Sequence, residues 1–298
     1  MNIIRTHFSL PAMAVFAITA SGLLPDLEAA ETVTTIEVTT HENVENSGVD
    51  LNCTAWIPQG EGPYPVLVLV HGGGFSEGTP MKWAAWKAFA SQNYVLFTTR
   101  YRLTGEGGNL RTFVQDNMAS IKYLAAHAKE FKADMNRLAI VGSSAGGGIV
   151  VWMALLGMNQ EYKPVWSPYA DVPVDIKACV SYYGAWQWHG AKEVVYEQLH
   201  AHPEKIQTSF FLTHGTADTV VDPKSTLLLY EWLSKEDLPD DYFTREEHLS
   251  SSTFIPVEAH VYEGFEHAFA YNLKGPDNQR AFKDLLPFLD RCFSARDD

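Results

Sequence analysis

The sequence predicts an α/β fold, a single domain built on a mostly parallel central sheet with helices on both faces. Three observations carry this. Strand-like and helix-like segments alternate from about residue 60 to the C-terminus, the pattern of a sheet whose crossovers are helices. Several strand segments are unbroken apolar runs, as strands covered on both faces require. The 298 residues contain no internal repeat, low-complexity stretch or Pro/Ser-rich linker, and 46% hydrophobic against 19% charged residues is enough for one large core.

Taken in order, "TVTTIEVTT" and "VDLNCTAWIP" alternate polar and apolar residues around the polar "HENVENSG", a half-exposed β-hairpin. "YPVLVLV" (Tyr64 to Val70) is a buried strand, "MKWAAWKAFASQ" has helical spacing and "YVLFTTR" is a strand. "FVQDNMASIKYLAAHAKEF" is an amphipathic helix with Val114, Met118, Ile121, Leu124 and Ala125 on one stripe. "RLAIVG" is a strand and "AGGGIVVWMALLG" a helix. "IKACVSYYG" and "SFFLTHG" are strands, "PKSTLLLYEWLSK" is a helix begun by Pro223, "PVEAHVYEG" is a strand, and "NQRAFKDLLPFLDRCF" closes as a helix. Two stretches are irregular: Tyr162 to Asp175, and Ala185 to Gln207, which is rich in Trp186, Trp188, His189 and Tyr196 and placed to cover one sheet edge. Right-handed crossovers bring the loops after the parallel strands to one edge, where such sheets bind ligands.

Residues 1–30 read as a signal peptide. A basic start at Arg5 precedes an apolar run from Leu10 to Leu24, and Ala29 and Ala30 stand where cleavage is expected. Pro11, Ser21, Gly22 and Pro25 interrupt the run, which is shorter than the ~20 apolar residues of a membrane span. Residues 31–298 form the single folded domain on this reading. The expected location is the periplasm or the exterior, with no stable membrane span after cleavage. Loss of Arg5, Asp26 and Glu28 with the leader turns the net charge of −14 into about −13. A chain this acidic, with no basic cluster, repels nucleic acid. Cys53, Cys179 and Cys292 have no metal-ligand spacing. Export allows one pair, Cys53–Cys292, to be oxidised, and Cys179 sits in an apolar run as a small buried hydrophobe.

Chemistry is concentrated in "IVGSSAGGGIV". Gly142, Ser144 and Gly146 give G-x-S-x-G between a strand and a helix. A serine on such a turn is held in a strained conformation, and the positions two before and two after it are too crowded for side chains. Only Ser144 has glycine at that spacing on both sides, so Ser144 rather than Ser143 is the candidate nucleophile. "HGGGF" (His71 to Phe75) directly follows a strand. Its glycines let backbone N–H groups face a reacting carbonyl oxygen, and Gly73, Gly74 and Ala145 are the expected oxyanion-hole donors. A phosphate loop is disfavoured, because neither the Lys-Ser/Thr pair nor GxGxxG is present.

A serine hydroxyl needs a base held by an acid. The histidines after Ser144 are His189, His200, His202, His214, His248, His260 and His267. His214 ends a strand, His260 lies within one, and His248 lies in the hydrophilic "REEHLSSS". His267 stands in "EGFEHAF", on the loop after the last strand, and follows every acid candidate. Asp218, on the loop "LTHGTADTVVDP", is the acid, while Asp222 beside Pro223 is placed to cap the next helix. The order Ser, Asp, His is that of α/β-hydrolases.

"HGGGF", "YRL" (Tyr101 to Leu103), "GSSAGG", "HGTADTVV" and "GFEHAF" together resemble the α/β-hydrolase serine esterases. The chain is most similar to the hormone-sensitive-lipase-like carboxylesterases and the bacterial feruloyl and acetyl-xylan esterase-like family, from about residue 50 to the C-terminus. The resemblance implies the α/β-hydrolase fold, a Ser144–Asp218–His267 triad, no cofactor and no metal. It also implies short acyl esters as substrates, among them acetyl or feruloyl groups on polysaccharides. The chain departs from its lipase-like relatives in three ways. They usually carry an acid where Ser143 stands, many have a helical N-terminal cap, and the interval from Asp218 to His267 here holds the polar insert "EDLPDDYFTREEHLSSSTF". Two other readings fit the same scaffold: a serine peptidase of the prolyl-oligopeptidase type, and a catalytically silent binding protein. The first usually needs a propeller for which there is no room. The second typically lacks a triad residue.

Overall fold

The structure is a computed structural model that describes residues 33–238 and 246–294. The expected signal peptide lies outside the described residues. Among these, the strands are β1 (Thr34–His41), β2 (Leu51–Ile57), β3 (Tyr64–Val70), β4 (Val95–Thr99), β5 (Ala133–Ser143), β6 (Ala178–Tyr182), β7 (Ser209–Gly215), β8 (Glu247–Ser251) and β9 (Val257–Tyr262). They form one sheet in the order β1-β2-β4-β3-β5-β6-β7-β9-β8. β1 and β2 are the antiparallel hairpin that the alternating N-terminal segments predict. From β4 to β9 the neighbours are parallel. The ends of β3, β5, β7 and β9 therefore share one edge, and the four motif loops leave from it.

The α-helices are α1 (Leu110–Ala126), α2 (Ala145–Leu156), α3 (Ala191–Ala201), α4 (Lys224–Ser234) and α5 (Pro276–Ser294). Alternation within β3 shows how the strands serve two layers. Val66, Val68 and Val70 enter the core formed with α1 to α4, and Leu67 and Leu69 enter the core on the other face, where α5 packs. This explains the unbroken apolar run in a central strand.

Three segments differ from expectation, one of them the stretch Ala185 to Gln207, read as irregular, in which α3 forms. The helix predicted from "MKWAAWKAFASQ" is a 3₁₀ run, Pro80–Gln92. Trp83, Trp86 and Phe89 recur every three residues, the 3₁₀ repeat, and all three are fully buried in the second core. The Trp83 and Trp86 rings meet edge-on at 4.9 Å, and Trp86 stacks on Phe89 at 5.1 Å. The polar insert supplies β8, an edge strand antiparallel to β9. Leu249 is its one apolar residue, too little for a hydrophobic alternation that predicts a strand.

The disulfide allowed between Cys53 and Cys292 is absent. Cys53 lies in the core against α1 and Cys292 packs on the opposite face of the sheet, and all three thiols are free. Cys179 is buried as expected, and burial pushes its thiol well up.

The "YRL" motif anchors the loop after β3. Tyr101 Oη donates to the His71 carbonyl at 2.9 Å, and its ring stacks on His71 at 4.4 Å. Arg102 meets the buried Asp116 through Nη2 at 2.7 Å, Nε at 3.0 Å and its backbone N–H at 2.9 Å, and reaches Glu45 at 2.8 Å. Burial pushes the Asp116 carboxyl up against the pull of Arg102. Removing one member of such a pair strands a buried charge, so Arg102→Leu is expected to lower unfolding stability by about 3–5 kcal/mol. Urea unfolding measures this. A second change, Asp116→Leu, should recover part of the loss, and a single-variant loss below about 1 kcal/mol is the result that contradicts the account.

Candidate active site

β5 ends at Ser143 and α2 begins at Ala145, so Ser144 alone makes the turn. It does so at φ 54°, ψ −122°, a region that non-glycine residues rarely occupy. The turn is pinned on both sides: the Ser144 N–H donates to the Tyr182 carbonyl at 2.9 Å, and the Ser144 carbonyl accepts from Ala185 and Gly148, each at 3.0 Å. The flanking glycines are sterically required. A Cβ on Gly142 would sit 2.2 Å from the Gly146 carbonyl oxygen, and one on Gly146 would sit 2.2 Å from that of Val70.

His267 Nε2 lies 2.9 Å from Ser144 Oγ, and His267 Nδ1 lies 2.7 Å from Asp218 Oδ2. Because a carboxylate only accepts, these partners assign the proton to Nδ1 and leave Nε2 to accept the serine proton. The three predicted residues, from loops after β5, β7 and β9, are thus in one hydrogen-bonded line. The Tyr183 ring packs against the imidazole at 4.6 Å.

Asp218 is held by more than His267. Its Oδ1 accepts the Val220 and Val221 N–H groups at 2.8 and 3.0 Å, and its Oδ2 lies 3.1 Å from His214 Nε2. Burial raises the Asp218 carboxyl, but hydrogen bonds from His214, His267, Val221 and Val220 outweigh it and hold the group well below the usual carboxylate range. His214 is fully buried. Its Nδ1 accepts from the Thr226 hydroxyl at 2.7 Å, and its Nε2–H is shared between Asp218 and the Val221 carbonyl at 2.9 Å. Both ring nitrogens are therefore partnered, and the imidazole orients the acid. Sequence reasoning weighed His214 only as a rival base. The four-residue spacing in "HGTAD" was the available sign of its contact with Asp218.

The loop after β3 is tightly wound. Gly73, at φ 132°, accepts from the Ser76 and Glu77 N–H groups at 3.1 and 3.0 Å, and a Cβ there would lie 2.1 Å from the Glu77 carbonyl oxygen. Gly72 backs onto the nucleophile turn: its added Cβ would be 3.1 Å from Ser144 Cβ. Among the described residues, the N–H groups of Gly73, Gly74 and Ala145 have no hydrogen-bond acceptor. Ser143, buried beside Ser144, donates to Tyr271 Oη at 2.5 Å, and Tyr271 Oη accepts the Gly72 N–H at 3.0 Å. Ser143 thus ties three loops together, a link that no local motif announced.

Phe75, next in the glycine loop, stacks on Trp152 at 5.5 Å and meets His189 edge-on at 4.6 Å, with Trp188 at 5.8 Å. Trp188 is 47% exposed, whereas Trp186 is buried with its Nε1 donating to the Ser225 carbonyl at 2.9 Å. The aromatic segment is therefore divided between core and surface. Asp222 accepts the Lys224 N–H at 3.0 Å and caps α4 as expected. His260 lies on β9 against Phe211, also as expected. A surface cavity of about 380 Å³ lined by Lys177, Ser209, Val257 and Cys292 lies at the opposite sheet edge and has no part in this site.

The BD-FAE family model matches residues 55–206, more than half of the chain. The chain belongs to the BD-FAE family. Among curated relatives of this BD-FAE chain, esterase LipC of Mycobacterium tuberculosis is 25% identical over 186 residues, 53% of this chain and 45% of LipC. Carboxylesterase NlhH of the same organism is 34% identical over 107 residues, 35% of this chain and 33% of NlhH. The chain spans about half the length of the curated relatives it matches. Esterase B of Lactobacillus rhamnosis superposes with a TM-score of 0.64 at 16% identity, over 92% of this chain and 89% of that one. Esterase 2 of Thermogutta terrifontis, phosphoramylated by tabun, gives 0.62 at 20% identity over 86% and 93%. The fold is the α/β-hydrolase fold that the motifs implied. No helix among the described residues is long and apolar enough to cross a membrane.

Proposed function

We propose that this protein is an exported serine carboxylesterase acting on short acyl esters, with acetyl or feruloyl esters of polysaccharides as its substrates. One observation carries the reading: Ser144, His267 and Asp218 stand in a hydrogen-bonded line beside three N–H groups without acceptors. Ser144 Oγ attacks the ester carbonyl while His267 Nε2 takes its proton. Asp218 keeps the imidazole in the required tautomer and stabilises the imidazolium. The N–H groups of Gly73, Gly74 and Ala145 receive the oxyanion, where one donor is worth about 2.7–4 kcal/mol of barrier. His267 then protonates the leaving alcohol, and a water activated by the same nitrogen releases the acid. No step calls for a metal or cofactor. Esterase names among the relatives support ester chemistry. The exposed Trp188, packed on Phe75 of the glycine loop, supports stacking on an aryl or sugar face, and the signal-like N-terminus supports export.

The test is a screen of the mature protein on p-nitrophenyl esters of increasing chain length, acetylated and feruloylated glycans, and a proline-containing peptide amide. Acetyl or feruloyl release without amide cleavage is expected. Amide cleavage in preference to ester cleavage moves the assignment to a peptidase. The absence of turnover on every ester contradicts the proposal.

A further inference from the structure

The insert that forms β8 places His248 directly across from His260 on β9. Their Nδ1 atoms are 2.7 Å apart. The other nitrogen of each ring faces a carboxylate: His260 Nε2 lies 3.2 Å from Glu258 Oε2, and His248 Nε2 lies 3.4 Å from Glu246 Oε1. A carboxylate only accepts, so both Nε2 atoms are favoured as the N–H positions. Both Nδ1 atoms then carry lone pairs aimed at one another, which is repulsive unless positive charge lies between them. A third donor faces the same point. Asp284 Oδ2, on α5, is 3.6 Å from His260 Nδ1 and 3.9 Å from His248 Nδ1. The Tyr262 hydroxyl fixes it with a hydrogen bond of 2.6 Å.

We propose that His248, His260 and Asp284 form a binding site for a divalent first-row transition metal, with Zn²⁺ the best match. Two imidazoles and a carboxylate are a donor set that suits this ion. The three ligand atoms lie within 4.8 Å of one another. Bonds of about 2.1 Å place tetrahedral donors roughly 3.4 Å apart. The two imidazole–carboxylate separations are already near that value, and the imidazole pair need only open by under about 1 Å. Glu258 and Glu246 supply the outer carboxylates that metal-bound histidines commonly engage through their second nitrogen. Each is itself paired, Glu258 with Arg291 and Glu246 with Arg280, so Asp284 supplies the charge that attracts the cation. The His248 side chain is 41% exposed, which leaves a path for the ion and room for water as a fourth ligand. The ion would clip β8, β9 and α5 together.

The experiment uses the full chain, stripped with a chelator. Zn²⁺ uptake is measured in competition with a chromophoric chelator, and Co²⁺ uptake by its visible d–d absorption. One equivalent of tight binding, a tetrahedral Co²⁺ spectrum and a raised Tm are expected, all lost in His248→Ala. Glu258→Gln should weaken Zn²⁺ roughly 10–100-fold. His248 sits on an exposed edge strand outside the ester site, so unchanged ester hydrolysis in His248→Ala confirms that the variant folds. Equal uptake by wild type and His248→Ala, including none in either, overturns the proposal and leaves a shared proton between the two rings.

Discussion

Ser144→Ala is expected to lower kcat on p-nitrophenyl acetate by roughly 10⁶-fold, the scale seen when a triad nucleophile is removed. Ser143→Ala, one residue away, should cost less than about tenfold, the worth of one ordinary hydrogen bond. The contrast rests on direction. Ser144 is on the strained turn, with its Oγ 2.9 Å from His267 Nε2. Ser143 points into the protein, with its Oγ on Tyr271. Its loss leaves Tyr271 still accepting the Gly72 N–H, so the glycine loop keeps one of its ties. Purified variants with matched thermal unfolding give the comparison. Equal loss in both would undermine the assignment of Ser144 over Ser143.

Asp218→Asn is expected to lower kcat by roughly 10⁴-fold with little change in KM, because the defect lies in the tautomer of His267 and not in binding. Asp218 receives four donors: His267 Nδ1–H, His214 Nε2–H and the Val220 and Val221 N–H groups. An amide in its place must turn an N–H toward one of these donors. If it faces His267, the imidazole is driven to hold its proton on Nε2, where it cannot accept from Ser144. Steady-state kinetics at neutral pH measure the effect. A loss below about tenfold contradicts the role of Asp218.

Much of this architecture is legible in the chain because local chemistry and global placement agree. The apolar run Tyr64–Val70 could be satisfied only between two helical layers, and the motif loops had to emerge where parallel strands end. Gly142 and Gly146 announce the turn because a Cβ at either position strikes backbone. Where tertiary contacts decide, the reading fell short. The period-three burial of Trp83, Trp86 and Phe89 selects a 3₁₀ helix over an α-helix only once the opposing aromatic layer is present. β8 is a strand because β9 offers it an edge, and Leu249 is its one apolar residue. Likewise, Tyr271 lies 128 residues from Ser143, and no local pattern joins them. Cys53 and Cys292 fall on opposite faces of the sheet, which spacing along the chain does not reveal.

The central claim is that Ser144 is a nucleophile activated by His267. It is tested most directly by labelling the folded protein with a fluorophosphonate probe and mapping the adduct by peptide mass spectrometry. The account predicts one adduct, on Ser144, formed rapidly in the wild type, strongly slowed in His267→Ala and absent in Ser144→Ala. No adduct on the wild type, or an adduct on Ser143, would contradict it.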